Sequence, residues 1–203
     1  MKLIAKAVSI ATLTFAGIAP ANAGYITTFT AGQTTTVAGA TVFDFDSGLS
    51  SSYTGGQGFV NSVSGISAAP AGDSTPYYSV AHGTGTFAAS VGASYNYFGL
   101  YWGSIDDYNT LSFYSGDTLL ASITGSDVIS AGTALGDQSA AGSNRYVNFF
   151  LDTAFDRIDF TSSSYSFESD NHAFATVPVP EPMTLGLLGI GLLGLVFTRR
   201  SAR

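Results

Sequence analysis

The sequence predicts an all-β protein, an antiparallel two-sheet sandwich of jelly-roll type, and three observations lead to this fold class. Apolar residues recur at every second position in several short segments, which is the period of a strand with one buried face. Glycine accounts for 24 of the 203 residues, and clusters of Gly, Ser and Asp fall between these segments, where turns are expected. The central part of the chain has no lysine and no long apolar stripe of helical period.

The individual strands follow from this alternation of side chains. Leu119, Ala121 and Ile123 occupy alternate positions, and the turn at 115–117 separates them from a preceding alternating segment, which predicts a hairpin. In chain order the expected strands are 25–30, 41–46, 77–81, 86–91, 95–102, 109–114, 118–124, 147–151, 158–160 and 165–176, and the expected surface loops are 47–58 and 126–144.

The first residues of the chain have the three parts of a secretory signal peptide. Two lysines within the first six residues precede an apolar stretch at 8–18, and Ala21 and Ala23 supply the small residues of a cleavage site. We therefore expect residues 1–23 to be a signal peptide that is cut after Ala23, and the rest of the chain to be exported. A buried N-terminal helix is the alternative.

The last residues, 178–203, also fall into three parts. They are the Pro180, Glu181 and Pro182 motif, an apolar segment at 183–198, and a basic end that contains Arg199 and Arg200. The apolar segment is close to the shortest length that spans a bilayer, so we expect one C-terminal transmembrane helix. Because the basic end should stay on the cytoplasmic side, the body of the chain is expected on the opposite side of the membrane.

This C-terminal arrangement resembles the PEP-CTERM sorting signal of Gram-negative bacteria. The resemblance implies an exosortase as the processing partner, an inner-membrane-anchored precursor, and a final location at the cell surface or outside the cell. An ordinary membrane anchor is the alternative, with the same orientation and no cleavage. Segments 97–111, 147–149 and 167–171 also resemble PEP-CTERM surface proteins with a sandwich domain, except that Ser169 stands where an aromatic residue is common.

The segment between the two ends, residues 24–177, is expected to be the β-sandwich domain of the mature protein. It has two arginines against thirteen acidic residues, a net charge of −11. Nucleic acid is therefore not an expected partner, because phosphate binding needs a basic surface. The absence of cysteine in the sequence excludes disulfides, zinc ribbons and thiol catalysis.

Four carboxylates form a candidate calcium site. Asp44 and Asp46 are two positions apart near the first strands, and Glu168 and Asp170 are two positions apart in the last strand. Each pair therefore lies on one face of its strand, and the first and last strands of a jelly roll are often neighbours. Calcium prefers six to eight oxygen ligands, which such a cluster could supply. The alternative is four carboxylates in solvent, since no linear calcium motif is present.

An aromatic and acidic segment is a candidate glycan contact. Trp102 is expected in the core between the sheets, so that Tyr101 points outward because neighbouring side chains alternate. Tyr101 and Asp106 together offer a ring to stack on a sugar and a carboxylate to bind its hydroxyls.

Catalysis has little support in the sequence. The two histidines, His82 and His172, lie in no known catalytic or metal-binding pattern. We therefore expect a non-enzymatic protein with a structural or interaction role in exopolysaccharide or biofilm, where divalent cations could bridge its acidic surface to anionic polymers. A carbohydrate-binding module is the alternative. A secreted glycan hydrolase would need two carboxylates that face each other in a cleft.

Overall fold

The computed structural model describes residues 23–59, 61–130 and 132–178. This part of the chain forms twelve strands and one short helix, α1, at Gly125–Val128. The strands are β1 (Tyr25–Thr30), β2 (Thr41–Phe43), β3 (Tyr53–Thr54), β4 (Gln57–Phe59), β5 (Tyr77–Val80), β6 (Gly83–Ala88), β7 (Tyr95–Gly103), β8 (Asn109–Ser115), β9 (Thr118–Thr124), β10 (Arg145–Phe155), β11 (Arg157–Ser162) and β12 (Phe167–Ala175).

The strands form two antiparallel sheets. The larger sheet has the order β1-β10-β7-β12-β5-β4, with β2 also paired to β12, and the smaller sheet has the order β3-β6-β11-β8-β9. The predicted all-β, two-sheet architecture is thereby confirmed, and so is the hairpin of β8 and β9. The jelly-roll connectivity stays a prediction.

Phenylalanine rings from both sheets form the core. The ring centre of Phe98 in β7 lies 6.0 Å from that of Phe113 in β8 and 5.9 Å from that of Phe160 in β11. Phe87 of β6 stacks on Phe174 of β12 at 4.0 Å. All five side chains are at most 1% exposed, so the two sheets pack face to face as a sandwich.

Strand β9 departs from the predicted alternation at one residue. Phe113 pairs with Ala121 while Tyr114 pairs with Leu119, so that Leu120 is an extra residue in β9, a β-bulge. As a result Leu120 is 7% exposed and packs in the core, whereas Leu119 is 47% exposed.

Two further corrections concern the predicted loops. The loop predicted at 47–58 contains β3 and most of β4, which are too short to show a period of two in the sequence. The loop predicted at 126–144 contains most of α1, where Thr124 and Asp127 form a capping box.

A covering segment, residues 61–76, lies across the outer face of the larger sheet. Its Ala71 carbonyl accepts a hydrogen bond from the Tyr101 hydroxyl at 2.6 Å, and its Ala68 N–H donates to the Glu168 carboxylate at 2.9 Å. Pro70 packs so closely over Gly103 that a Cβ on this glycine would lie 2.8 Å from the proline Cα. The covering segment therefore buries side chains of β7 and β12 that alternation alone would leave in solvent.

Both ends of the described chain are held to the sandwich. The Ala23 N–H donates to the Leu120 carbonyl at 3.1 Å, and Asn96 makes two hydrogen bonds of 2.7 Å with the backbone of Val177. Within residues 23–178 as described, no helix is long and apolar enough to span a membrane. The transmembrane helix predicted at 183–198 lies outside the described residues, as does the signal peptide up to residue 22.

Candidate functional site

A cleft of about 300 Å³ lies at the edge of the covering segment, and we call it the Glu168 cleft. Residues 62–68 form one wall, and Gln138, Tyr165 and Glu168 complete the lining. The wall bends at a tight turn in which the Ile66 N–H donates to the Val63 carbonyl at 2.9 Å. The cleft therefore combines hydroxyl, amide and carboxyl groups with one aromatic ring.

Glu168 is the one carboxylate that lines this cleft among the described residues. Its Oε1 atom accepts hydrogen bonds from the Ala68 N–H and the Ser166 hydroxyl, and its Oε2 atom is buried without a partner in the described chain. Burial raises the pKa of the Glu168 carboxyl to about 7, with a smaller contribution from the charge of Asp106. Near neutral pH this side chain is therefore a proton donor in part of the molecules and an acceptor in the rest.

Tyr165 supplies an accessible ring beside Glu168. Its side chain is 55% exposed, and its ring centre lies 6.0 Å from that of His82. The Tyr108 hydroxyl donates to the Tyr165 carbonyl at 2.8 Å, which holds the backbone of this loop in place. The sequence placed Tyr165 at the start of a predicted strand and gave no signal that its ring would lie at a cleft.

The structure contradicts the predicted glycan contact at Tyr101 and Asp106, because both side chains are buried. Tyr101 does lie on the opposite face of β7 from Trp102, but the covering segment leaves it only 6% exposed. Asp106 is 5% exposed and packs against Gly136, where a Cβ would lie 2.3 Å from its Oδ1 atom. Trp102 is fully buried and stacks on Phe167 at 4.6 Å, so its predicted core position is confirmed.

Burial also alters the chemistry of Asp106. Burial is the main reason why the pKa of this carboxyl is raised to about 6. The charge of Asp107 also raises this pKa, whereas the hydrogen bond with the Tyr108 hydroxyl lowers it. Asp106 thus influences Glu168 through its charge but does not line the Glu168 cleft.

The four predicted calcium ligands do not form one site. Strand β2 pairs with the last strand, β12, as the prediction assumed. However, Asp44 and Asp46 are exposed in the turn that follows β2. Glu168 and Asp170 are buried under the covering segment and have different partners. Across the described residues, no three acidic or histidine side chains come together as a metal site. The prediction that these four carboxylates form one calcium site is therefore wrong.

The sequence did not identify Asp73 in the covering segment as a carboxyl neighbour of Asp170, whose pKa the charge of the predicted Asp46 also raises, to a smaller extent. The Thr75 hydroxyl donates to Asp73 Oδ1 at 2.7 Å and lies 3.5 Å from Asp170 Oδ2. Burial raises the pKa of Asp170 to about 8, and interaction with Asp73 raises it further. The Asp170 carboxyl is therefore largely protonated near neutral pH.

The two histidines have different surroundings. His82 is exposed near Tyr165, while His172 is fully buried, and burial lowers its pKa to about 3. Its ring nitrogens form hydrogen bonds with the Tyr53 hydroxyl at 2.9 Å and the Ser169 hydroxyl at 2.8 Å. His172 is thus a neutral member of the core with both nitrogens paired.

The predicted sorting residues Pro180, Glu181, Pro182, Arg199 and Arg200 lie outside the described residues, as does Ala21 of the cleavage site. The chain matches no curated protein and no solved structure. Residues 178–201 do match the family model of the PEP-CTERM protein-sorting motif. The chain therefore carries a PEP-CTERM protein-sorting motif and is an exosortase-targeted, secreted surface protein.

Proposed function

We propose that this surface protein has an interaction role in extracellular polysaccharide or biofilm, and that it binds a neutral glycan in the Glu168 cleft without catalysis. The observation that carries the proposal is the buried, unpartnered Oε2 atom of Glu168 beside the 55% exposed ring of Tyr165. Buried polar atoms in folded proteins nearly always have a partner, and a ligand hydroxyl would provide one here.

The lining of the cleft suits a sugar ring. An exposed tyrosine offers an apolar face on which the C–H face of a sugar can stack, while its hydroxyl stays in water. Gln138 and Ser64 in the lining add amide and hydroxyl groups that can donate or accept. A neutral glycan fits better than a dense polyanion, because the domain from 24 to 177 has a net charge of −11.

The surroundings of Glu168 favour binding over hydrolysis. Glycoside hydrolysis needs a second carboxylate across the scissile bond, either as nucleophile or as base. The charge that raises the pKa of Glu168 comes from Asp106, which is 5% exposed and packs against Gly136 instead of lining the cleft. Among the described residues Glu168 is the one carboxylate in the cleft lining, which favours the positioning of a ligand hydroxyl over hydrolysis.

A glycan array followed by calorimetry on the full-length chain in neutral detergent tests the proposal. We expect retention of neutral oligosaccharides and no release of reducing ends after prolonged incubation. Tyr165→Ala should weaken the binding of the best array ligand about tenfold, since it removes the stacking ring. Glu168→Gln should weaken binding as well, because it replaces an ionisable carboxyl with an amide of fixed donor and acceptor groups.

Tyr25→Ala is the matched control, because Tyr25 is a tyrosine 42% exposed on strand β1 and does not line the cleft. It should bind like the wild-type chain. The proposal is overturned if no oligosaccharide is retained, if Tyr165→Ala binds as tightly as Tyr25→Ala, or if the wild-type chain hydrolyses its ligand.

A further inference from the structure

Arg145 is an unpaired cation in a strongly acidic domain. Of the two arginines between 24 and 177, Arg157 lies 3.8 Å from Asp159 in an ion pair. Arg145 has neither an ion pair nor a side-chain hydrogen bond within the described part of the chain, and its Nε atom is buried without a partner. A guanidinium group has five N–H donors, so this side chain keeps its capacity to bind an anion.

The guanidinium group of Arg145 is also held in a fixed orientation. Its Cζ atom lies 4.2 Å from the ring centre of Phe29, in a cation–π contact. One face of the group is therefore covered, while Phe29 itself remains 47% exposed. Because the planar group is oriented before a ligand arrives, less side-chain entropy is lost on binding.

Two open clefts meet at Arg145, and together we call them the Arg145 groove. The larger, of about 610 Å³, is lined by the C-terminal end of α1 and by Thr133 and Leu135, which is 73% exposed. The smaller, of about 420 Å³, is lined by residues 29–33 and Asn144. Both clefts include Phe29 and Arg145, so a ligand chain can continue past the cation on either side.

We propose that the Arg145 groove binds an acidic polysaccharide, with Arg145 as the subsite for the carboxylate of one uronate residue. A guanidinium group binds a carboxylate through two parallel N–H···O bonds. Leu135 and Phe29 offer exposed apolar surface for the faces of the neighbouring sugar rings. The groove shares no lining residue with the Glu168 cleft, so the inference is independent of the proposed function.

The charge of the domain restricts the ligand further. A net charge of −11 repels a polymer with a carboxylate on every sugar, and one arginine can neutralise one carboxylate. The exposed carboxylate of Asp137 in the larger cleft also disfavours a second anionic residue next to Arg145. The groove therefore fits a polysaccharide in which an occasional uronate lies between neutral sugars.

A matched pair of ligands and a matched pair of variants test this inference by calorimetry on the full-length chain in neutral detergent. The ligands are a trisaccharide with one central glucuronate and the same trisaccharide with its carboxyl reduced to an alcohol. We expect the acidic form to bind at least about tenfold more tightly than the reduced form, because hydrogen bonds to charged groups are stronger than those between neutral groups. Raising the salt concentration to about 0.5 M should reduce this difference.

Arg145→Gln should abolish the preference for the acidic trisaccharide. Arg157→Gln is the control, since Arg157 also lies over an aromatic ring, at 4.0 Å from the ring centre of Tyr114, but is paired with Asp159. It should keep the wild-type preference. Equal binding of the two trisaccharides, no binding at millimolar concentration, or an equal loss in both variants overturns the inference, as does preference for an acidic peptide such as triglutamate over the glucuronate ligand.

Discussion

At the scale of single residues, the pairing of His172 inside the core makes a measurable contribution to stability. Tyr53→Phe removes the hydroxyl that bonds to the Nδ1 atom of His172 and leaves a fully buried nitrogen without a partner. Such a change costs about 1–3 kcal/mol of unfolding free energy. Urea unfolding of the full-length chain at pH 7 should show a lower midpoint with an unchanged slope.

Tyr95→Phe is the control for this substitution, because the Tyr95 hydroxyl has no hydrogen bond within the described chain although the ring packs against the core. It should change the unfolding free energy by less than about 0.5 kcal/mol. Equal destabilisation by the two substitutions would show that the pair of His172 with Tyr53 contributes nothing of its own.

The environment of His172 also shows where inference from the sequence ends at this scale. Ser169 stood out in the sequence because an aromatic residue was expected there, and the structure uses its hydroxyl to bind the Nε2 atom of His172. The serine at position 169 indicated that β12 differs at this position from the strand of similar proteins. It did not indicate the partner, because Ser169 and His172 are brought to one face by an extra residue between Asp170 and Ala173 in the pairing with β7.

At the scale of strands, Gly99 in the middle of β7 is a point of close approach. A Cβ at this position would lie 2.3 Å from the Tyr97 hydroxyl and 2.7 Å from the Tyr146 hydroxyl. Gly99→Ala should therefore displace two buried tyrosines and cost about 1–3 kcal/mol of unfolding free energy, measured by urea unfolding.

Gly58→Ala is the matched substitution in β4, where the nearest atoms to an added Cβ are 4.0 Å away. It should leave the unfolding free energy within about 0.5 kcal/mol of the wild-type value. If Gly99→Ala were no more destabilising than Gly58→Ala, the close packing of the two tyrosines over β7 would be refuted.

The predicted bounds of β1 and β9 match the structure. Alternation of side chains predicted the buried faces of β8, β10 and β11, because one face of each of these strands packs against the core. It was wrong at Leu119 and Leu120, since a bulge depends on the register with β8 rather than on local sequence. It also left Glu168 and Asp170 in solvent, because the sequence contains no sign that residues 61–76 fold over β12. Burial of this outer face is a long-range property, and the candidate site depends on it.

At the scale of the whole molecule, the buried carboxyls give an unusual dependence of stability on pH. Burial raises the pKa to about 6 for Asp106, about 7 for Glu168 and about 8 for Asp170. In the unfolded chain all three lose their protons near pH 4. Below about pH 6.5 the buried His172 acts in the opposite direction, because its pKa is lowered to about 3, but one histidine proton does not offset those of three carboxyls. Between about pH 5 and 8 the folded state therefore binds more protons than the unfolded state, and the unfolding free energy falls as the pH rises.

We expect the melting temperature of the full-length chain to be at least about 5 °C higher at pH 5 than at pH 8, measured by scanning calorimetry. Asp170→Asn should flatten this dependence, because an amide needs no proton to be neutral beside Asp73. Asp117→Asn removes the same charge from an exposed turn and should keep the wild-type slope, which separates burial from general charge repulsion. A melting temperature that stays level or rises from pH 5 to 8 would contradict the burial of these carboxyls. So would equal slopes in the two variants, since the covering segment holds Asp170, and not Asp117, away from water.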